Sequence, residues 1–213
     1  LHQLRPDGGT GGRRAYLMNL PNKLTVARII MVPFFVVFLV NVTIPHHFLI
    51  AGLIFALASF TDLLDGKIAR KRNLVTNFGK FLDPLADKIL VISALVCFVN
   101  LGLAELWFVL IIIAREFMVT SIRLIAVNTG EVIAANIWGK AKTVSQMVAI
   151  VIMQYLQELI DLSVMPGFAV GPFSSSAVFW FAGNVLVGIS TLFTIISGAI
   201  YLKQNWNLFK NSK

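Results

Sequence analysis

The chain has 213 residues, 57% of them hydrophobic and only 13% charged, against about 25% charged in an average soluble domain. Apolar residues gathered into long runs exclude a large soluble core and point to membrane spans; the length holds about six helices of about 20 residues each with their connections. The formal net charge is +8, but no basic soluble domain carries it, so nucleic acid is a poor partner. The excess is expected to set membrane orientation and to favour anionic lipid or phosphate-bearing substrates.

Residues 1–17 (LHQLRPDGGTGGRRAYL) are Gly-rich and basic, and no apolar h-region follows their charges closely, so they do not read as a signal peptide. They are expected to be a disordered leader or an added remnant. Residues 18–213 are expected to form a single membrane domain.

Six spans follow, at roughly Leu24–Val42, Phe48–Ala69, Phe81–Leu101, Leu106–Val127, Lys142–Leu159 and Ala177–Leu202. The first begins as an amphipathic segment, PNKLTVARI. With Lys23 and Arg28 on a polar face, it is expected to lie along the membrane interface as an N-terminal amphipathic helix and to help cover the site. Lys23, Arg28, Arg70, Lys71, Arg72, Lys80, Arg123, Lys140, Lys142, Lys203, Lys210 and Lys213 fall at one end of the spans. The opposite connections, NVTIPHH, NLGLAE and QELIDLSVMPGFAVGPFSSS, hold no Lys or Arg. This asymmetry predicts both termini on the cytoplasmic side, in an all-α integral membrane protein of the cell membrane. Trp107, Trp138, Trp180 and Trp206 lie near span ends, as an aromatic belt would. His46 and His47 have no acidic residue near them in sequence and read as ordinary interface residues. Cys97, the single cysteine, reads as a small buried apolar residue.

Four of the ten Asp and Glu residues fall between Thr61 and Lys88, in TDLLDGKIARKRNLVTNFGKFLDPLADK. Asp62 and Asp65 are spaced i, i+3 and share a helix face with Gly66 and Ala69. Gly79, Asp83 and Asp87 are spaced i, i+4, i+8 and form a second stripe. A short connection makes the two helices antiparallel neighbours, so the stripes are expected to face each other just inside the membrane. Two bland alternatives stand beside this. Asp83 before Pro84 fits an N-cap with Pro at N1, and Asp62 and Asp65 could pair with Lys67 or Arg70. Four clustered carboxylates repel unless a cation joins them. Oxygen ligands without His or Cys select Mg²⁺ or Mn²⁺. Two ions with one carboxylate left as a base suit displacement at phosphorus.

The pattern Asp62-x₂-Asp65-Gly66-x₂-Ala69-Arg70-x₈-Gly79-x₃-Asp83-x₃-Asp87 resembles the signature of the CDP-alcohol phosphotransferase family at every defining position. The resemblance extends from Met18 onward. It implies a six-helix membrane bundle, usually a homodimer, that moves a CDP-linked group onto an alcohol and releases CMP. It implies Asp62, Asp65, Asp83 and Asp87 as metal ligands, with Asp87 also the catalytic base. Asp65, Gly66, Ala69, Arg70 and Gly79 become the CDP contacts.

NLPNKLTVARI, IIIAREFMVTSIR and GKAKT are similar to the branch of that family whose donor is CDP-diacylglycerol and whose acceptor is glycerol 3-phosphate. A phosphorylated acceptor needs a cationic pocket. Arg115 and Arg123, eight residues apart on one helix face, with Lys140 and Lys142 at the start of the next helix, are the expected binding residues, and Glu116 is expected to orient Arg115. For Lys140 and Lys142 a role in topology alone is the alternative. Other acceptors (serine, inositol phosphate) are the nearest rival reading. A membrane prenyltransferase would need a second, distant acidic motif. A cation transporter would need polar groups at several depths, whereas these aspartates sit at one end.

Overall fold

The computed structural model describes residues 20–72, 77–128, 137–164 and 176–206, with the side chains of 20–22, 62–72, 77–84, 127–128, 163–164 and 176–179 outside the described set. Six helices account for almost all of it: α1 (Leu20–Val40), α2 (His47–Arg72), α3 (Asn77–Asn100), α4 (Leu106–Asn128), α5 (Ile137–Val164) and α6 (Ser176–Gln204). The chain is an all-helical integral membrane protein. Windows in α1, α5 and α6 (Lys23–Val40, Ile137–Leu162 and Trp180–Gln204) are long and apolar enough to cross a membrane, and His47–Thr61 of α2 is a shorter apolar stretch.

The helices form because the runs are apolar on nearly every face, and in lipid only intrahelical bonding satisfies the backbone. Apolar side chains accordingly face outward as well as inward: Phe34, Leu57, Phe60, Trp107, Phe181 and Leu192 are all exposed. Inside, Phe35, Leu39, Phe55, Ala58, Leu90, Phe98, Ile112 and Ile150 form one continuous core. The rings of Phe35 and Phe55 meet at 5.7 Å between centroids, tilted by 47°. Helix α1 packs on α2 and α3, α2 on α5, α5 on α6, and α4 on α6 and α3.

The turn after α3 shows how the chain reverses. Gly102 has φ 71°. Its N–H donates to Val99 O at 3.0 Å, while Leu103 N–H donates to Phe98 O at 2.8 Å. This is a Schellman motif, with glycine at the left-handed position and two terminal carbonyls satisfied.

The helix bounds lie within a few residues of the expected spans, except that α5, Ile137–Val164, extends five residues further at each end. PNKLTVARI forms the first turns of α1, which runs unbroken to Val40. Two expectations change. Arg28 does not lie on a polar face; it is fully buried, and its Nε donates to Ala58 O of α2 at 3.3 Å. A guanidinium can satisfy a partner helix at that depth, which a face-counting argument does not see. The N-cap reading of Asp83 fails as well, because α3 begins at Asn77 and residue 83 lies in its second turn.

The connection before α2 also departs from its plain reading. His46 and His47 have acidic partners after all, brought from the far end of α5. His46 Nδ1 donates to Glu158 Oε1 at 2.6 Å, and His47 Nε2 lies 3.4 Å from Asp161 Oδ2. Glu158 Oε2 accepts the Leu49 N–H at 3.1 Å, so a carboxylate more than a hundred residues away caps the start of α2. His46 adopts φ 57° there, a left-handed conformation in which histidine is enriched among non-glycine residues. No group of three or more His, Cys, Asp or Glu side chains among the described residues is arranged to hold a metal ion, so this is a clasp between two helix ends.

Candidate functional site

The site is built where the opposite helix ends meet. Asp87 lies ten residues into α3, Arg115 and Glu116 lie mid-way along α4, Arg123 is near its end, Lys140 and Lys142 open α5, and Ser197 and Tyr201 lie toward the end of α6. A cavity of about 500 Å³ joins all of these but Lys142, lined by Asp87, Lys88, Arg115, Glu116, Arg123 and Lys140, with Ser197 and Tyr201 on its α6 wall. The volume lies within the range of small-molecule sites. The ionisable lining holds four cations and two carboxylates, so its bias is toward an anion.

The cavity has a depth. Arg123 and Lys140 are exposed, whereas Arg115 and Glu116 are largely covered. Eight residues of helix separate Arg115 from Arg123, about 12 Å along the axis. The exposed cations thus mark the mouth, and Arg115 lies deeper.

A chain of polar contacts ties three helices behind that inner wall. Lys142 Nζ donates to Glu116 Oε1 at 2.6 Å. Arg115 Nη1 donates to the same oxygen at 2.9 Å, and Arg115 Nη2 donates to Ser197 Oγ at 2.9 Å. Glu116 therefore orients Arg115, as its position next to it in sequence suggested, and also anchors α5 to α4. Lys142 is buried and does not line the main cavity. It borders a smaller space of about 30 Å³ behind it, with Asp87, Glu116, Thr143 and Gln146.

Of the expected site residues, the structure brings Asp87, Arg115, Arg123 and Lys140 to one cavity and sets Lys142 one layer behind. The side chains of Asp62, Asp65, Gly66, Ala69, Arg70, Gly79 and Asp83 lie outside the described residues. Their backbone positions belong to α2 and α3, which contact each other. Asp87 is half-buried on the cavity wall.

Sequence reasoning missed Lys88, Ser197, Tyr201 and Gln146. The α6 pair had a legible signal: Ser190, Thr194, Ser197 and Tyr201 recur at helical spacing and are all buried. A polar stripe in an apolar span marks an interior face. Along it Thr194 Oγ1 donates to Ser190 O at 2.8 Å, and Ser197 Oγ donates to Thr194 O at 3.1 Å. The Tyr201 hydroxyl has no partner among the described residues.

The cavity inside this six-helix membrane bundle is cationic with a carboxylate on its wall, a lining that suits a phosphate-bearing ligand. The chain belongs to the CDP-alcohol phosphatidyltransferase family, which it matches over residues 18–196. It is 41% identical over 210 residues to the CDP-diacylglycerol–glycerol-3-phosphate 3-phosphatidyltransferase of Bacillus subtilis, covering 92% of this chain and 100% of the relative. It is 38% identical over 203 residues to a probable phosphatidylglycerophosphate synthase of Mycobacterium tuberculosis, covering 94% of this chain and 88% of that one. A Rickettsia bellii protein with the same description as the Bacillus relative is 35% identical over 187 residues, covering 87% of this chain and 94% of its own.

Proposed function

We propose that the protein transfers a phosphatidyl group from CDP-diacylglycerol to sn-glycerol 3-phosphate, giving phosphatidylglycerophosphate and CMP in phospholipid biosynthesis. The observation that carries this reading is one cavity holding Asp87 together with Arg115, Arg123 and Lys140. A base and a cationic pocket in the same space suit an acceptor with a hydroxyl at one end and a phosphate at the other. The names of the similar proteins point to the same two substrates.

Asp87 takes the proton of the acceptor's C1 hydroxyl onto its carboxylate. The freed oxygen attacks the lipid-side phosphorus, a new P–O bond forms, and the bond to the bridging oxygen breaks. CMP leaves with that electron pair. Arg123 and Lys140 at the mouth draw the acceptor in, and Arg115 holds its phosphate at depth, since guanidinium geometry matches phosphate oxygens. Gly66, Ala69 and Gly79 leave room for the nucleotide, with Asp65 and Arg70 as its polar contacts. One or two Mg²⁺ or Mn²⁺ ions held by Asp62, Asp65, Asp83 and Asp87 would neutralise charge on the diphosphate.

The Lys and Arg distribution supports a cytoplasmic face for this end of the bundle and for both termini. The donor's acyl chains then reach the site from the bilayer between helices. The family resemblance supports a homodimer. Family membership leaves a prenyltransferase or a cation transporter without support. Serine or inositol phosphate as acceptor is the second reading, and the cationic lining disfavours serine, which has no phosphate. The test is the purified protein with CDP-diacylglycerol, divalent metal and each acceptor in turn: CMP release is expected with glycerol 3-phosphate, and release only with another acceptor contradicts the assignment.

A further inference from the structure

Helix α6 contributes no charge to the cavity, yet it holds one of the cations that line it, the largely covered Arg115. Arg115 Nη2 donates to Ser197 Oγ at 2.9 Å. The Ser197 hydroxyl spends its own proton on Thr194 O at 3.1 Å, so toward Arg115 it can only accept. The next residue, Gly198, is buried and lies under the arginine stem. A Cβ placed there would come within 3.1 Å of Arg115 Cγ, 3.5 Å of Met118 Cε and 3.9 Å of Arg115 Nε. Glu116 holds the remaining side, accepting from Nη1 at 2.9 Å. The guanidinium is thus held by a carboxylate on its own helix and a hydroxyl on α6, with glycine backbone beneath its stem.

We infer that Ser197 and Gly198 are positioning residues that seat the Arg115 guanidinium against α6 and so set the affinity for a phosphate-bearing acceptor. The inference rests on the reading above, in which Arg115 meets the acceptor's phosphate. Ser197 fixes the rotation of the guanidinium plane through Nη2. Gly198 lets the stem lie close enough for that bond to form. Neither residue has to touch the reacting atoms. A bidentate contact depends on orientation as much as on charge, so a rotated guanidinium would bind the acceptor more weakly and leave the donor unaffected.

The test compares the full-length protein in detergent with its Ser197→Ala, Ser197→Thr, Gly198→Ala and Arg115→Lys variants, measuring kcat and KM for both substrates. Ser197→Ala and Gly198→Ala are expected to raise the KM for glycerol 3-phosphate about three- to tenfold. The KM for CDP-diacylglycerol and kcat should stay within about twofold. Ser197→Thr, which keeps the hydroxyl, should recover most of the lost affinity. Three results overturn the inference. If Arg115→Lys raises the acceptor KM while Ser197→Ala and Gly198→Ala do not, the seat is refuted and the reading of Arg115 stands. If Arg115→Lys leaves the acceptor KM unchanged, the reading of Arg115 falls and the inference with it. If both α6 variants depress kcat and both KM values alike, or Ser197→Thr is no better than Ser197→Ala, the two residues serve packing alone.

Discussion

Lys142 and Glu116 form an ion pair of 2.6 Å between α5 and α4, with their side chains only 5% and 14% exposed. Two such groups are costly to bury. Removing Glu116 strands the Lys142 charge, which costs about 3–5 kcal/mol, whereas removing Lys142 leaves Glu116 still paired with Arg115 and should cost less. Lys142→Met and Glu116→Gln should each lower the thermal unfolding midpoint in detergent. The double variant should lie closer to wild type than the sum of the two, because Lys142 is then no longer left buried without its carboxylate. Additive losses would show that the pair is not coupled. Glu116→Gln should also weaken acceptor binding, since the same oxygen holds Arg115.

Arg123 is exposed at the mouth of the cavity and is not tied into that chain. Its substitution should act on encounter and binding more than on chemistry. Arg123→Ala is expected to raise the KM for glycerol 3-phosphate by about tenfold, with kcat near wild type and no loss of stability. Raising ionic strength should blunt the difference between the two proteins, because exposed charges are screened. Steady-state kinetics at two salt concentrations checks both points.

Asp87 is the one member of the aspartate motif whose side chain the structure places, and it lies on the cavity wall. Asp87→Asn keeps the shape and removes the proposed base. Turnover should fall by at least about 10²-fold, while binding of CDP-diacylglycerol in the presence of metal should survive in large part. Turnover near wild type would remove Asp87 as the base.

At the other end of the bundle, Glu158 joins His46 and the Leu49 N–H. Glu158→Ala leaves a helix N–H uncapped and should cost about 2 kcal/mol of stability. Kinetic constants for both substrates should be unchanged, because the clasp joins the start of α2 to the end of α5, away from the cavity. A fall in the unfolding midpoint without a change in KM is the expected signature.

The spans were legible because each is a local pattern, a run of apolar residues. The Arg115–Arg123 spacing was legible for the same reason, and both residues reach one cavity. What could not be read was pairing across the fold. Glu158 finds His46 across more than a hundred residues, and Arg28 finds a carbonyl of α2. Lys140 and Lys142 look equivalent in GKAKT, yet two residues along a helix turn the side chain by about 200°. Lys140 is exposed on the cavity, and Lys142 is buried against Glu116. Ser197 and Tyr201 were overlooked because a polar stripe in a span carries no charge to draw attention.

In the proposed mechanism one cavity joins a carboxylate base to a cationic seat for a phosphorylated alcohol. The most direct measurement is CMP release by the purified protein from CDP-diacylglycerol with Mg²⁺ or Mn²⁺, as glycerol 3-phosphate is added or replaced by plain glycerol. The proposed mechanism predicts saturable release that requires the phosphate-bearing acceptor, is lost in Asp87→Asn, and has a raised acceptor KM in Arg123→Ala. Release that proceeds equally well with glycerol would contradict it.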